Sequence, residues 1–187
     1  MKTKQKEDII IRYFSSDWHL GHKNILEHSN RPFETIEEME EVLIANWNEV
    51  VTPDDVGYLI GDTFWTRNVA ADCERAIALR KRLNGTVIFM PGNHDEKIVR
   101  RVEDSDRDIQ TCKWEGQHFF LFHYPALSWN RSHHGSIMLH GHTHQSSKLT
   151  FHPAGKPLVH VGVDAWDYKP ASASEILELV PRNRTPD

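Results

Sequence analysis

Val87-Ile88-Phe89-Met90-Pro91-Gly92-Asn93-His94-Asp95 is an apolar run that stops at a glycine and then offers an amide, an imidazole and a carboxylate in succession. Such a run reads as a strand buried on both faces, because β-branched and aromatic residues follow one another without polar alternation. The same design recurs along the chain. Ile9-Ile10-Ile11 through Phe14 leads to Asp17 and His19, and Val56 to Ile60 leads to Gly61-Asp62. Phe119 to Phe122 leads to His123, and Ile137 to Leu139 leads to Gly141-His142-Thr143-His144. In α/β folds, sites gather outside the carboxyl ends of strands. One strand ending in histidine means little, but five that all deliver oxygen and imidazole donors mean a metal site.

The patterns between these runs set the architecture. Ile36, Met39, Leu43, Trp47 and Val50 recur at helical spacing with glutamates between them, and Thr35 with Glu38 predicts a capping box. A second helix is expected from Ala70 to Leu83, with Ile77 and Leu83 facing inward and Asn84-Gly85 as its stop. Strand–helix–strand–helix–strand in the first half predicts parallel pairing. In the second half, strands are expected near 109–113, 118–122, 137–140, 148–151, 158–163 and 174–180, with little helix between them. The expected fold is therefore two sheets face to face with helices outside.

At 187 residues the chain is read as a single domain, 1–187. Its 22 basic and 27 acidic residues leave a net charge of -5, which argues against broad binding to nucleic acid. It does not argue against a phosphate ester, because bound cations set the local field. Cys73 and Cys112 have no metal-ribbon spacing and read as buried thiols, consistent with a reducing compartment. No run reaches membrane-spanning length, and the charged N-terminus reads as carrying no signal peptide, so a cytoplasmic location is expected.

Carboxylates and imidazoles without cysteine suit borderline divalent ions. The donors exceed what one ion needs, and two ions about 3.5–4 Å apart would share a bridging carboxylate and clamp a phosphoryl group.

Asp17-Trp18-His19, Gly61-Asp62, Gly92-Asn93-His94-Asp95, His123 and Gly141-His142-Thr143-His144 stand in the order of the calcineurin-like metallophosphoesterase motifs, which this chain resembles over residues 9–164. It is most similar to the small bacterial and phage members, on Asp17 to Ile25, Arg31-Pro32-Phe33, Leu83-Asn84-Gly85 and Val161 to Trp166. The resemblance implies a four-layer αββα sandwich of two mixed sheets flanked by helices, with a di-metal site at the strand ends. It implies that Asp17, His19 and His144 bind one metal, that Asn93, His123 and His142 bind a second, and that Asp62 bridges both. Two divalent ions are expected, manganese first, with iron, zinc, nickel or cobalt as alternatives. His94 would protonate the leaving oxygen while a metal-bridging hydroxide attacks phosphorus. A phosphodiester or nucleotide-type substrate is the expectation, against the alternatives of a monoesterase or a non-catalytic scaffold of the same fold.

His22 and Arg31 are candidate substrate contacts. For His22 a surface role competes, and for Arg31 a salt bridge pinning its turn. Asn24 and Asp164 are candidates for orienting ligand histidines, with turn duty the competing and favoured reading for both. Arg75, Arg80, Lys81 and Arg82 form a basic stripe that a helix end also explains. Relatives of the protein-phosphatase type carry an aspartate three residues after the bridging one, supporting the catalytic histidine. Trp65 stands there in this chain, which leaves open what orients His94; Asp95 is either that partner or the cap of a helix starting near Glu96.

Overall fold

The computed structural model describes residues 10–65 and 68–181; Ile9, which opens the first apolar run, lies outside the described residues. Strands β1 (Arg12–Ser15), β2 (Val56–Ile60) and β3 (Thr86–Met90) are parallel, and β9 (Ala171–Ser172) closes their sheet antiparallel to β1, in the order β3-β2-β1-β9. The second sheet holds β4 (Ile109–Trp114), β5 (Gln117–Phe122), β6 (Ile137–His140), β7 (Leu149–Phe151) and β8 (Pro157–His160). Its order is β4-β5-β6-β8-β7, parallel in the middle and antiparallel at both edges.

Period-two alternation divides each strand between two cores. Phe14, Tyr58, Ile60 and Met90 face Phe119, Leu121, Ile137, Leu139 and Val159 between the sheets. Tyr13, Leu59, Val87 and Phe89 point the other way, onto helices α2 (Ile36–Val50), α3 (Val69–Arg82) and α4 (Glu96–Glu103). Phe120, Met138 and Leu158 line the outer face of the second sheet. The cover there is a loop that places Trp129 and a 3₁₀ turn at Ser132–His134, so the fourth layer is thinner than a helical one. A short helix α1 (Ile25–His28) follows β1.

Most expected elements fold as read, with three corrections. Residues 174–180 are not a strand: Ala173–Leu179 is helix α5. Ser172 caps it, with its Oγ accepting from Glu175 N and the Glu175 carboxylate accepting from Ser172 N, so the capping box outweighs the apolar run. Ile77 faces solvent rather than the core, at 48% exposure. The buried face of α3 is built from the smaller Cys73 and Ala76 with Leu79, and Leu83 is buried as expected. At the start of α2, Thr35 Oγ1 accepts from Glu38 N, but Glu38 reaches back to Glu34 N rather than to the cap residue itself. Cys73 and Cys112 are buried free thiols. Among the described residues no helix is long and apolar enough to cross a membrane.

Candidate metal centre

The two sheets are stitched together where their parallel strands end. Ser16 N donates to Val161 O at 3.1 Å, His142 N to Asp17 Oδ1 at 3.0 Å and His123 Nδ1 to Ile60 O at 3.0 Å, all between the sheets. Within the sheets, Asp17 N donates to Gly61 O, His19 N to Asp62 O and Gly141 N to His123 O at 2.9–3.1 Å, so the loops after β1, β2, β5, β6 and β8 form one cluster. Single donor atoms of Asp17, His19 and His144 lie within 4.8 Å of one another, and so do those of Asp62, His123 and His142. Asn93 Oδ1 joins the second group 3.3 Å from His123 Nε2. His19, Asp62 and His94 form a third such group between them. The structure thus brings together all seven expected ligands and His94.

The backbone is contorted to do this. Asp17, His19, Asp62, His142 and His144 have φ between 46° and 71°, a left-handed conformation that non-glycine residues seldom adopt. Each such residue costs about 1–3 kcal/mol and persists where the surroundings over-determine it. The glycines of the motifs leave room for the ligands. A Cβ at Gly92 would collide with Asp62, at Gly61 with His123, and at Gly141 with Asp17.

Hydrogen bonds aim the rings. His123 Nδ1 donates to the Ile60 carbonyl at 3.0 Å, which turns Nε2 toward the cluster. His144 Nδ1 donates to Asp164 Oδ2 at 2.8 Å, so its Nε2 faces His19 Nε2 across 3.1 Å. The Asp17 carboxylate is fully buried and accepts from Ser16 Oγ and His142 N. Burial alone would raise the Asp62 carboxyl, but hydrogen bonding to His123 and the surrounding donors hold it down at about 2. Burial would likewise lower His123, yet its bond to Asp62 and the charges of Asp17 and Asp62 push it up to about 9. Burial holds His19 near 3, neutral and ready to act as a ligand, and its Nδ1 is buried without a hydrogen-bond partner. Two buried carboxylates ringed by imidazole nitrogens fit a borderline divalent cation, because the cation neutralises charges that are costly to bury alone.

Around this centre the other candidates are sorted by geometry. Arg31 is not positioned to grip a substrate. Its side chain is buried, and its guanidinium donates to both oxygens of Asp164 at 2.8 and 3.1 Å, to the Asp17 carbonyl at 2.7 Å and to the Trp18 carbonyl at 3.0 Å. Arg31, Asp164 and His144 form one chain of charge-assisted bonds, so Asp164 orients the His144 ring and Arg31 holds Asp164. Asn24 is exposed at the start of α1 and makes no cap.

His22 lies at the rim with its ring stacked on Trp65, centroids 3.8 Å apart and planes 8° from parallel. Asp95 neither caps α4 nor turns to His94. It is fully buried and accepts from Gly92 N at 2.8 Å, Thr63 N at 2.7 Å and Phe64 N at 3.3 Å, tying the loops after β2 and β3 together. Burial pushes its carboxyl up to about 7 against the pull of those donors.

Sequence reasoning assigned no role to His160. It is fully buried, with Nε2 3.8 Å from Asp17 Oδ2, behind the cluster. The basic stripe is partly neutralised: Arg75 pairs with Glu40 and Asp72, Arg80 with Glu103 and Arg82 with Glu41.

No protein-family profile matches the chain. The uncharacterized protein MJ1445 of Methanocaldococcus jannaschii is 34% identical over 175 residues, 92% of each chain. Among solved structures, AQ665 of Aquifex aeolicus, a protein of unknown function, superposes with a TM-score of 0.67 at 25% identity, over 91% of this chain and all of that one. YfcE, a phosphoesterase from E. coli, is a more distant likeness, with a TM-score of 0.41 and 19% identity over 95% of this chain and 85% of that one.

Proposed function

We propose that the chain, whose motifs resemble those of the calcineurin-like metallophosphoesterases, hydrolyses phosphate esters in a metal-dependent reaction, with phosphodiesters or nucleotide-type molecules as substrates. The position of Asp62 carries this reading. Its Oδ2 lies 3.3 Å from His123 Nε2 and 3.8 Å from His19 Nε2, one imidazole from each ligand group. A carboxylate between two sets of donors is what a two-ion centre needs. Asp17, His19 and His144 would hold one ion and Asn93, His123 and His142 the other, with manganese the expected metal. Bound divalent ions supply Lewis acidity toward a phosphoryl oxygen and lower the pKa of water.

The protein's own groups do the rest. Asp164 and the Ile60 carbonyl fix the tautomers of His144 and His123, so that each presents a lone pair inward. His94 stands on the open side of the cluster, about a third exposed, with Nε2 3.9 Å from Asp62 Oδ2. From there its ring would donate a proton to the departing oxygen, a contribution of about 10²–10⁴ in rate. Asn93 and His142 are exposed at the rim, which gives an ester carrying two substituents room on either side of phosphorus. The test is a substrate panel under manganese: bis-p-nitrophenyl phosphate is expected to turn over with higher kcat/KM than p-nitrophenyl phosphate. A clear preference for the monoester overturns the diester assignment.

A further inference from the structure

The loops after β1 and β2 do more than carry ligands. They pair with each other past the metal-binding residues, through an isolated bridge between Leu20 and Phe64, with Leu20 N donating to Thr63 O and Trp65 N to Leu20 O at 2.9 Å each. His22 and Trp65 follow directly on this paired backbone, and their rings continue it outward as a parallel stack. The edge of that stack meets His94, whose ring centroid lies 4.6 Å from Trp65 and 6.3 Å from His22. On its other side the His94 ring lies 5.2 Å from His19, tilted by 61°. His94 N donates to Asp62 Oδ1 at 2.9 Å, which ties its backbone to the bridging carboxylate. The imidazole thus stands in a slot between a ligand histidine and an aromatic shelf, and the neighbouring Asp95 carboxylate is committed to backbone donors elsewhere.

We propose that Trp65, braced by His22, is a positioning residue that holds the His94 ring toward the leaving-group oxygen by ring contact, at the position where protein-phosphatase-type relatives use an aspartate. This rests on the reading of His94 as the proton donor. A donor displaced by about 1 Å loses up to roughly 10²-fold in rate. A good leaving group needs the proton less than a poor one, so a misaimed donor is felt most with poor leaving groups.

The experiment compares methyl p-nitrophenyl phosphate with methyl phenyl phosphate on the manganese-loaded enzyme, in wild type, Trp65→Ala, Trp65→Phe and His94→Ala, with bound metal quantified in each. Trp65→Ala is expected to keep its metal and to lose about 10–100-fold more rate on the phenyl ester than on the nitrophenyl ester. It should thereby follow His94→Ala in direction, while Trp65→Phe recovers most of the difference. Equal losses on both esters in Trp65→Ala, with His94→Ala still selective, overturn the positioning role and leave the donor assignment standing. Equal losses in His94→Ala overturn both.

Discussion

Placing a methyl group at Gly92 tests whether the glycines of this site exist to make room for ligands. The backbone of Gly92 lies against Asp62. A Cβ added there would sit 2.8 Å from Asp62 Cγ and closer still to its Oδ1 and backbone nitrogen. Neither side yields easily. Gly92 N is bonded to Asp95 Oδ1 at 2.8 Å, and Asp62 Oδ1 accepts from His94 N at 2.9 Å. Restoring ordinary contact requires the Asp62 carboxylate to move by ~1 Å, whereas metal–ligand distances must hold to roughly 0.2 Å. On the proposed two-ion centre, Gly92→Ala is therefore expected to weaken both metal sites together, because Asp62 would bridge them.

Overpacking of this kind costs about 1–3 kcal/mol, and each kcal/mol lowers Tm by roughly 2–4 °C in a chain of this size. Thermal unfolding of metal-free protein followed by calorimetric manganese titration reads both effects. Gly116→Ala is the control. Its φ of +87° makes that substitution strained too, but nothing lies within 4 Å of its Cβ, so metal binding should be untouched. A Gly92→Ala protein with wild-type manganese affinity and stoichiometry would refute the reasoning.

Further outcomes follow from the same geometry. In metal-free protein the raised His123 contributes stability that is complete below about pH 6.5 and lost as pH rises through about 9. A metal needs the neutral ring, so manganese binding at pH 7 should release a proton and tighten with pH up to about 9; calorimetry in buffers of different ionisation enthalpy would contradict this if no proton appeared. Asp164→Ala leaves Arg31 buried without its carboxylate and His144 unaimed, so a loss of about 3–5 kcal/mol in stability is expected, measured by denaturant unfolding. Asp164→Asn should fold better and still lose about 10–100-fold in metal affinity, measured by titration. Asp95→Ala strands three buried backbone donors and should destabilise by roughly 3 kcal/mol or more; a melting curve within 2 °C of wild type would show that the loops after β2 and β3 are held by other means.

The strands and ligands were legible because both leave local marks. A buried parallel strand is a short apolar run, and donor residues follow where the run stops, so the cluster was visible as a set, while the division of that set into metal-binding residues and His94 came from the family resemblance. What stayed hidden depends on partners far away in sequence. Asp95 reads as either the partner of His94 or a helix cap, and it is neither because Thr63 and Phe64, 32 and 31 positions back, claim its carboxylate. Arg31 reads as either a phosphate grip or a salt bridge pinning its turn, and only Asp164, 133 positions on, decides for the salt bridge. Helix α5 differs from the strand expected at 174–180 for a local reason: Ile176, Leu177, Leu179 and Val180 form an apolar run, but the capping box of Ser172 and Glu175 starts a helix there. Ile77 misled because the inward face of α3 is made of small residues that a hydrophobicity pattern underweights. The left-handed backbone at Asp17, His19, Asp62, His142 and His144 uses residue types that tolerate it better than most, but the same types occur widely in ordinary conformations, so the sequence does not mark it.

The most direct test of metal-dependent phosphoester hydrolysis at this cluster is to strip the protein with a chelator, confirm that it remains folded, and assay bis-p-nitrophenyl phosphate as manganese, nickel, cobalt, zinc and magnesium are added back singly. Turnover that is absent without metal and restored by manganese at two equivalents per chain is the predicted result. Full turnover in the stripped protein, or none in folded protein shown to carry two ions, would contradict it.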